Sequence, residues 1–454
     1  MKYTWIRVAA STLLFANTVL SAVRPVLSPT IDITSIENVI PTTNVTLSYA
    51  NANETDAVPS VNVTLAMSAP SVLLEAIASV SVVDCSPTSV DVTFTNAIAF
   101  AEARATWPTD GNFTLITNHM GDCDVELERG FFLVTGLTWS NTTLNVRAVS
   151  INQDIAAVAD VAEISFGGLE ATPLGKRALV LDPSFTLPVN YSFPRNTTLY
   201  SSAPYLTIAA DSADFGAQLT VSGYLKYSFL QFKLNQLYFD IDAGFDASVT
   251  LSASIGAGYN STFIYAAPEL SYQFVNIPGV LTLGPALTFS VGAEVASSAA
   301  VNLETTFSVG IADGNVHVDA LNKSASSTSG WKPTYYIGSN ISSNANVDIN
   351  PYVSVTVELG IDILGGLVDL STGLTAKPKF TNEFSLTDVA GFNTTAIKGL
   401  NSEGTCSQGL AVESDFELEV DLFVTQFYRT TLWDYKVDVA DVCYTYQNST
   451  TGLV

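Results

Sequence analysis

The chain has 454 residues, of which 47 % are hydrophobic and 13 % are charged, and its formal net charge is −25. This balance is typical of a folded protein, because disordered acidic chains are poor in apolar residues. The negative charge repels phosphate backbones, so it argues against nucleic acid as a partner. A chain of this length ordinarily holds two or three domains.

Residues 1–22 have the order of a secretory signal peptide. Lys2 and Arg7 precede an apolar run at 8–15, and small residues follow up to Ala22. The run is shorter than the roughly 20 apolar residues that a membrane-spanning helix needs. We therefore predict cleavage after Ala22, export to the extracellular space or the cell wall, and no transmembrane segment in the mature chain.

Acceptor tripeptides for N-glycosylation, Asn-x-Ser/Thr, recur along the whole chain. One such tripeptide is weak evidence, but this density behind a signal peptide predicts a glycoprotein. The acceptors are Asn44, Asn53, Asn62, Asn112, Asn141, Asn190, Asn196, Asn260, Asn322, Asn340, Asn393 and Asn448.

The chain contains 4 cysteines, Cys85, Cys123, Cys406 and Cys443. An even number of cysteines in an oxidising compartment predicts two disulfides. Four cysteines can form two disulfides in three different pairings. We favour Cys85 with Cys123 and Cys406 with Cys443, because each pair then lies within one predicted domain.

The first half of the mature chain divides into three units. Residues 23–70 are rich in Thr, Asn, Ser and Pro, and most of them are predicted to be a glycosylated, extended leader. The alternation of Val61, Val63 and Leu65 is compatible with an added edge strand. Residues 71–168 carry several short alternating segments, which predict a small β-sandwich-like domain. Residues 169–204 are predicted to be a linker that contains Lys176 and Arg177, the one adjacent basic pair in the chain. That pair is a candidate processing site, and an uncut exposed linker is the alternative.

Residues 205–446 are predicted to form a large antiparallel β domain, followed by a tail at 447–454. Every odd position from Leu237 to Ala257 is apolar, and nearly every even one is polar or small. Such a period of two places the apolar side chains on one face of a sheet. The stretch is too long for a typical strand, so we predict two or three strands with a bend at Gly244.

Further alternating segments in this unit predict long strands whose apolar faces cover one another. The sequence Asp313-Gly314-Asn315 is typical of a hairpin turn between two of them. Long antiparallel strands with one apolar face must stack or close on themselves. The predicted fold is therefore all-β, with a large antiparallel sandwich or open barrel behind the smaller domain.

The chain resembles fungal secreted proteins built from two tandem β-rich domains of uncharacterised function. The likeness rests on the segments VSVVDCSPTSVDVTF and ATWPTDGNFTLIT with Cys123, and on VLTLGPALTFSVGAEV and INPYVSVTVELGIDILGG. It implies an extracellular or cell-wall setting. Relatives of the second unit resemble regions attached to chitin-degrading enzymes, so the resemblance also implies wall polysaccharide as a partner. It transfers no catalytic residue.

The 2 histidines give little support to a metal or catalytic site. His119 lies near Cys123, which we expect to be oxidised and so unable to bind a metal as a thiolate. His317 shares one strand face with Asp313, Asn315 and Asp319, which either form an oxygen-rich cation site or a solvated surface; we favour the surface. No motif of a hydrolase, a nucleotide-binding loop or a zinc protease occurs.

Two carboxylate clusters remain. Asp240, Asp242 and Asp246 lie on one face of the central stretch, where neighbouring positions meet the spacing of a glycosidase pair by geometry alone. A second cluster alternates with apolar residues and provides weak calcium candidates, although a soluble outer face is the simpler interpretation. Its members are Glu413, Asp415, Glu417, Glu419 and Asp421.

These observations favour a secreted, glycosylated and disulfide-containing β protein that acts as a structural or binding component of the cell surface or wall. It is predicted to need no cofactor and to lack a catalytic constellation. One alternative is a carbohydrate-active enzyme that uses a carboxylate pair. The other is a carrier that holds a lipid or another amphiphile between its β layers.

Overall fold

Strands dominate the structure, a computed structural model, and they form two open sheets, which confirms the predicted all-β fold. Almost every pairing is antiparallel, and β3 with β6 is the parallel exception among the described residues. The structure describes residues 23–51, 61–118, 123–124, 128–167, 185–202, 205–256, 259–271, 275–277, 281–297, 300–342, 347–363, 368–387, 409–424 and 428–445.

The small region, residues 23–167, contributes its strands to the first sheet. They are β1 (Val23–Val26), β2 (Thr42–Asn51), β3 (Val61–Leu73), β4 (Val80–Ser86), β5 (Ser89–Phe94), β6 (Phe113–Thr117), β7 (Gly130–Ser140), β8 (Asn145–Gln153) and β9 (Ala159–Phe166). Two helices, α1 (Ala97–Thr106) and α2 (Ile155–Val158), and short 3₁₀ turns at Ile36–Val39 and Leu74–Ala76 connect them.

The large region, residues 185–445, completes the first sheet and forms all of the second. Its strands in the first sheet are β10 (Phe185–Ser192), β11 (Thr197–Ser202), β12 (Leu206–Ser228), β13 (Lys233–Ile255), β18 (Val301–Asp319), β19 (Ser327–Ser329) and β20 (Pro333–Ser342). Those in the second are β14 (Tyr259–Ala266), β15 (Leu270–Ser271), β16 (Val275–Ile277), β17 (Leu281–Ser297), β21 (Val347–Ile363), β22 (Val368–Thr387), β23 (Gly409–Val424) and β24 (Tyr428–Thr445). A 3₁₀ turn at Lys323–Ala325 follows β18.

One continuous path of hydrogen bonds joins the two regions. Its order is β19-β18-β13-β12-β9-β3-β6-β7-β8-β5-β4, so the last strand of the small region, β9, lies between β3 and the long strand β12. The second sheet has the order β14-β17-β21-β22-β23-β24. Each path ends in a strand with a single neighbour, so neither sheet closes into a barrel.

Strands occupy much of the interval 23–70, which was predicted to be an extended leader. β3 is a central strand, because β2 pairs with one of its edges and β9 with the other. The buried side chains of Val45, Leu47 and Tyr49 alternate with exposed or small polar ones. The alternation of Val61, Val63 and Leu65, which is compatible with an edge strand in the sequence, belongs to the central strand β3. The Thr and Asn residues that favoured a leader occupy outward positions of the strands. The predicted linker 169–204 differs as well, because β10 and β11 pair with β12.

Helix α1, which the strand pattern did not predict, packs in the core of the small region. The side chain of Asn96 caps it by accepting a hydrogen bond from the backbone N–H of Ile98 (2.8 Å). Its buried face includes Phe100, which meets Trp139 edge to face with ring centroids 5.4 Å apart. Trp107, just after the helix, is 2 % exposed and donates from its ring N–H to the carbonyl of Val39 (2.9 Å).

The alternating stretch 237–257 contains one long strand rather than two or three. β13 runs for 23 residues, and its odd positions from Leu237 to Ile255 face the core. Phe239 and Val249 are 0 % exposed. The prediction of buried odd positions is confirmed, and the prediction of shorter strands is wrong. A strand this long persists because β12 and β18 pair with it along nearly its whole length.

Gly244 marks a β-bulge within this pairing. β18 places two residues, Ala312 and Asp313, opposite the single residue Gly244, and β18 continues without a break through the predicted turn at 313–315. That hairpin prediction is therefore wrong: the glycine and aspartate signal a bulge here. A Cβ atom at 244 would come within 3.2 Å of the carbonyl oxygen of Ala312. Any larger residue at 244 would therefore require the Ala312 carbonyl to move by a few tenths of an ångström.

The two sheets of the large region pack face to face. Phe215 of β12 contacts Phe289 of β17 with ring centroids 5.2 Å apart, and Tyr335 of β20 stacks on Phe416 of β23 at 4.5 Å. Side chains from both inner faces belong to one hydrophobic core, which extends into β2, β3 and β9. A large antiparallel sandwich, one of the two predicted forms of this region, is therefore what the structure shows.

A small apolar cavity lies between these sheets beside the bulge. It has a volume of about 30 Å³ and is bordered by Gly244, Leu219, Leu287 and Val357 among others. Sites for drug-sized ligands measure roughly 300–1,000 Å³. This cavity has room for little more than one water molecule.

Candidate functional site

The outer face of the first sheet, formed by the even positions of β13 and their neighbours on β12, β18 and β20, is a broad polar surface. Asp246 and Ser248 are exposed on it. The hydroxyls of Thr250 and Thr306 lie 3.0 Å apart across β13 and β18, and the Ser252 hydroxyl donates to Asp211. The alternation that buries the odd positions therefore presents hydroxyl and carboxylate groups on the opposite side.

Tyr336 on the edge strand β20 is the most exposed aromatic residue of this outer face. Its side chain is 61 % exposed. A Cβ atom built on Gly338 would lie 2.8 Å from the hydroxyl oxygen of Tyr336. The Tyr336 ring therefore lies over the part of the strand surface that the glycine leaves open. Such a ring offers an apolar face next to hydrogen-bonding groups. Carbohydrates combine the same two features, C–H faces and hydroxyls.

At the other end of the same face, three rings form a row across β12, β13 and β18. Tyr224 stacks on Tyr238 with centroids 5.3 Å apart, and the ring of His317 follows at 5.7 Å. His317 Nδ1 lies 2.9 Å from Asp240 Oδ1. The rings cover one another's faces, and Tyr224 is only 6 % exposed. This row is a cross-strand cluster that stabilises the sheet.

Glu163 of β9 fixes the first ring of the row. Its carboxylate accepts hydrogen bonds from the Tyr224 hydroxyl (2.8 Å) and the Lys226 ammonium (2.7 Å). Burial raises the pKa of the Tyr224 hydroxyl, and the Glu163 carboxylate raises it further. Burial alone would raise the pKa of Glu163, but the hydrogen bonds from Lys226 and Tyr224 outweigh it and lower that pKa. The contact links the small region to the large one.

The structure places the first predicted carboxylate cluster on the outer face of β13. Asp240 contacts His317, whereas Asp242 lies opposite Thr220 and Asn315, and Asp246 opposite Gly216. Among the described residues, no three His, Cys, Asp or Glu side chains come together as a metal site. His317 thus contacts the carboxylate of Asp240.

The second predicted cluster, Glu413 to Asp421, lies on the outer face of the second sheet beside lysines. Lys379 of β22 is directly opposite Glu417, which in turn is opposite Lys436 of β24. Lys436 Nζ lies 3.1 Å from Asp415 Oδ2. Carboxylates and ammonium groups thus alternate from strand to strand, as opposite-charge pairs do in stable sheets. The lysines supply counterions that the sequence pattern of β23 alone did not reveal.

Glu294 of β17 extends these charges across the second sheet. Both of its carboxylate oxygens lie 2.9 Å from Lys379 Nζ, and Asn350 donates to one of them (3.2 Å). Burial alone would raise the pKa of Glu294. The hydrogen bonds from Lys379 and Asn350 outweigh this effect, so the pKa of Glu294 is lowered. Tyr352 beside it is 5 % exposed, and burial and the Glu294 charge raise the pKa of its hydroxyl.

Most of the predicted glycan acceptors whose side chains are described lie on the surface. Asn62 is half-buried, and its Oδ1 accepts a hydrogen bond from Ser48 (2.7 Å). Asn340 lies in β20 at the position opposite Glu304. Asn53, Asn393 and Asn448 lie outside the described residues. The exposed acceptors are Asn44, Asn112, Asn141, Asn190, Asn196, Asn260 and Asn322.

Cys85 and Cys123 form a disulfide in the structure, with their Cα atoms 4.9 Å apart, as the favoured pairing predicts. Cys443 lies in β24, whereas Cys406 falls outside the described residues, so the second pair stays a prediction. The signal peptide at 1–22, His119 and the pair Lys176–Arg177 also lie outside them.

The small region contains a buried ion pair that no sequence pattern indicated. Arg129 donates to Glu75 Oε1 from Nη2 (2.6 Å) and Nε (3.1 Å), and from Nη2 also to the carbonyl of Val26 (3.1 Å). The two side chains are 1 % and 3 % exposed. The guanidinium also lies 4.6 Å from the ring centroid of Tyr49. Its partners are far apart in sequence, so no local pattern could reveal them.

Comparisons with known proteins assign no activity to these groups. None of the described helices is long and apolar enough to cross a membrane. No curated protein and no solved structure matches the chain. Residues 64–163 match the family described as "Domain of unknown function (DUF7029)". The matched residues run from within β3 to within β9. The match agrees with the resemblance of the small region to an uncharacterised β-rich domain.

Proposed function

We propose that the protein is a secreted glycoprotein that acts as a structural and binding component of the cell surface or wall, with wall polysaccharide as its ligand. The observation that carries this proposal is the close packing between the described strands of the large sandwich. Aromatic rings from its two sheets meet with centroids 4.5–5.2 Å apart, and a cavity bordered by described residues measures about 30 Å³. This packing favours a ligand that binds on an outer surface.

The outer face of the first sheet offers chemistry that suits a neutral polysaccharide. Its exposed Ser, Thr and Asp side chains provide many donors and acceptors, and Tyr336 provides an apolar ring at one edge. An extended surface suits an extended polymer, whereas a carrier for an amphiphile needs an enclosed apolar volume. The small cavity therefore favours the binding role over the carrier role.

The solvent-exposed acceptor asparagines support export through the secretory pathway. N-glycosylation requires an accessible asparagine, and seven acceptors distributed over both regions meet that condition. The disulfide between Cys85 and Cys123 is consistent with the same oxidising compartment.

Depletion from solution by insoluble wall polysaccharides tests the binding role. The secreted full-length protein is mixed with chitin or β-glucan particles, and the unbound fraction is measured after centrifugation. We expect retention, and a several-fold weaker retention for Tyr336→Ala. Phe232→Ala is the matched control, because Phe232 is 79 % exposed and lies in the turn between β12 and β13. Equal loss in both variants, or no retention of the wild type, would refute the proposal.

The same particles test the alternative of a carbohydrate-active enzyme. Release of soluble sugar, abolished by Asp240→Asn combined with Asp242→Asn, would favour that alternative. Binding without sugar release is the outcome that our proposal predicts.

A further inference from the structure

We infer that N-linked glycans shield the open edges of the two long sheets from pairing with other chains. The inference rests on the proposed secreted glycoprotein and gives its glycans a specific task. An open sheet edge presents unpaired N–H and C=O groups, which serve as a template for another strand. A protein with long strands and two open sheets must therefore protect several edges.

The described strands identify where these edges lie. β10 and β11 each pair with β12 alone, β14 pairs with β17 alone, and β20 pairs with β18 alone. Their other sides have no hydrogen-bonded strand among the described residues. β11 and β14 nevertheless lie close to each other, with the ring centroids of Tyr200 and Phe263 6.4 Å apart. β14 is the terminal strand of the second sheet, and all eight of its residues pair in one unbroken register with β17.

The acceptor asparagines coincide with these edge strands. Asn190 lies in β10 and Asn260 in β14, and both side chains are exposed. Asn196 immediately precedes β11, and Asn340 lies in β20. By contrast, the long central strands β12, β13, β17 and β18 carry no acceptor tripeptide. Four acceptors thus lie in edge strands or next to one. Asn62, in the central strand β3, is an exception, and its side chain is half-buried and hydrogen-bonded to Ser48.

β14 depends on its glycan more than the other edges do. Its sequence, YNSTFIYA, contains no charged residue and no proline. In β10, Pro188 lacks the N–H that a new strand would need, and the edge strand β24 carries charged residues such as Asp434 and Lys436. Without a glycan, β14 would be an uncharged, regular and largely aromatic or aliphatic edge, which is the kind that promotes aggregation.

A glycan on Asn260 would obstruct an incoming strand. A new strand must approach to about 4.8 Å from its neighbour along the whole length of the contact. The acceptor residues Asn260 and Thr262 are both exposed, and Asn260 is the second of the eight residues of β14, so an attached glycan projects from the first part of the edge strand. Its bulk and hydration oppose the close approach that strand addition requires.

Substitutions at Thr262 test this inference without altering Asn260 itself. Thr262→Ala removes the acceptor tripeptide, whereas Thr262→Ser preserves it. Thr262→Lys also removes the glycan but adds the charge that protects many natural edges. Asn322→Gln is the control for glycan loss away from an edge, since Asn322 is exposed in the turn after β18.

The full-length variants are secreted from a glycosylating host, glycan occupancy is measured by mass spectrometry, and molar mass is measured by light scattering after size exclusion. We expect Thr262→Ala to increase the dimer and aggregate fraction several-fold. Thr262→Ser, Thr262→Lys and Asn322→Gln should stay monomeric at the same concentration. If Thr262→Ala misfolds, enzymatic deglycosylation of the folded wild type provides the same comparison.

The outcomes separate this inference from the proposed function. A secreted wild type that is glycosylated elsewhere but not at Asn260 overturns the inference alone. So does a Thr262→Ala protein that lacks the glycan and remains as monomeric as Thr262→Ser. A wild type that enters the secretory pathway without any glycan overturns both the inference and the proposed glycoprotein.

Discussion

The small and large regions bury their apolar side chains by different means. In the small region a short helix, a cluster of rings around Trp107, the Cys85–Cys123 disulfide and the Arg129–Glu75 pair are each formed by particular residues. The large region instead relies on the alternation of buried apolar and outward polar residues along strands of up to 23 residues. The core of the small region therefore depends on a few irreplaceable contacts, and that of the large region on a period that many residues share.

This difference predicts how each region responds to substitution. In the large region, the effect of a substitution on stability depends on the face of the strand on which the residue lies. Substitutions at adjacent positions should therefore differ sharply in their effect. In the small region, stability depends on single contacts, so the substitution of one partner leaves the other partner buried without its interaction. Three sets of variants test the contrast, from the largest expected effect to the smallest.

Val249→Gln against Ser248→Gln tests the alternation in β13. Val249 is 0 % exposed, whereas Ser248 is exposed on the opposite face. The loss of a buried valine together with an unpaired buried amide should lower the free energy of unfolding by roughly 3–6 kcal/mol. The change at 248 should stay within about 0.5 kcal/mol. Urea denaturation measures both, and similar values at the two positions would contradict the alternation.

Arg129→Ala tests the dependence of the small region on single contacts. Removing the guanidinium leaves the Glu75 carboxylate buried and without its counterion, which should cost roughly 3–5 kcal/mol in the free energy of unfolding. The double variant Arg129→Met with Glu75→Gln removes both charges and should cost less than the single one. A double variant that is less stable than Arg129→Ala in urea denaturation would refute this account.

Glu294→Gln tests the outer charges of the second sheet and should have the smallest effect. The pKa of Glu294 is lowered below its ordinary value of 4.5, so the folded state binds the proton less tightly than the unfolded state does. Its contribution is therefore fully present above pH 4.5 and is lost as the pH falls through the lowered pKa. Denaturation midpoints of wild type and variant should differ at neutral pH and converge in acid. A constant difference across this range would contradict the role of the carboxylate charge.

The sequence was sufficient to predict the features that follow from the repeated alternation of apolar and polar residues. A period of two identifies the buried face of β13 and the all-β class, because one face of each long strand must leave water. The period does not state where a strand ends, and so Gly244 and Asp313-Gly314 were interpreted as turns. A glycine suits a bulge as well as a turn, and only the partner strand decides between them.

Contacts between residues distant in sequence account for the other differences. Arg129 and Glu75 are separated by 54 positions and give no local signal. The lysines opposite the acidic residues of β23 are also invisible until strand order is known. Tyr336 and Gly338 are only two positions apart, yet their contact depends on a side-chain direction that composition does not reveal. For the candidate surface, therefore, the sequence predicts which face is polar but not which residues cooperate.

The position of β9 bears on the maturation of the chain. β9 precedes residues 168–184, β10 follows them, and both strands are hydrogen-bonded to β12. A protease that cut the backbone at Arg177 would thus produce two fragments that stay associated through the ladder and a shared core. Processing would be visible on a denaturing gel but not by native mass, and the nicked molecule would behave as a heterodimer.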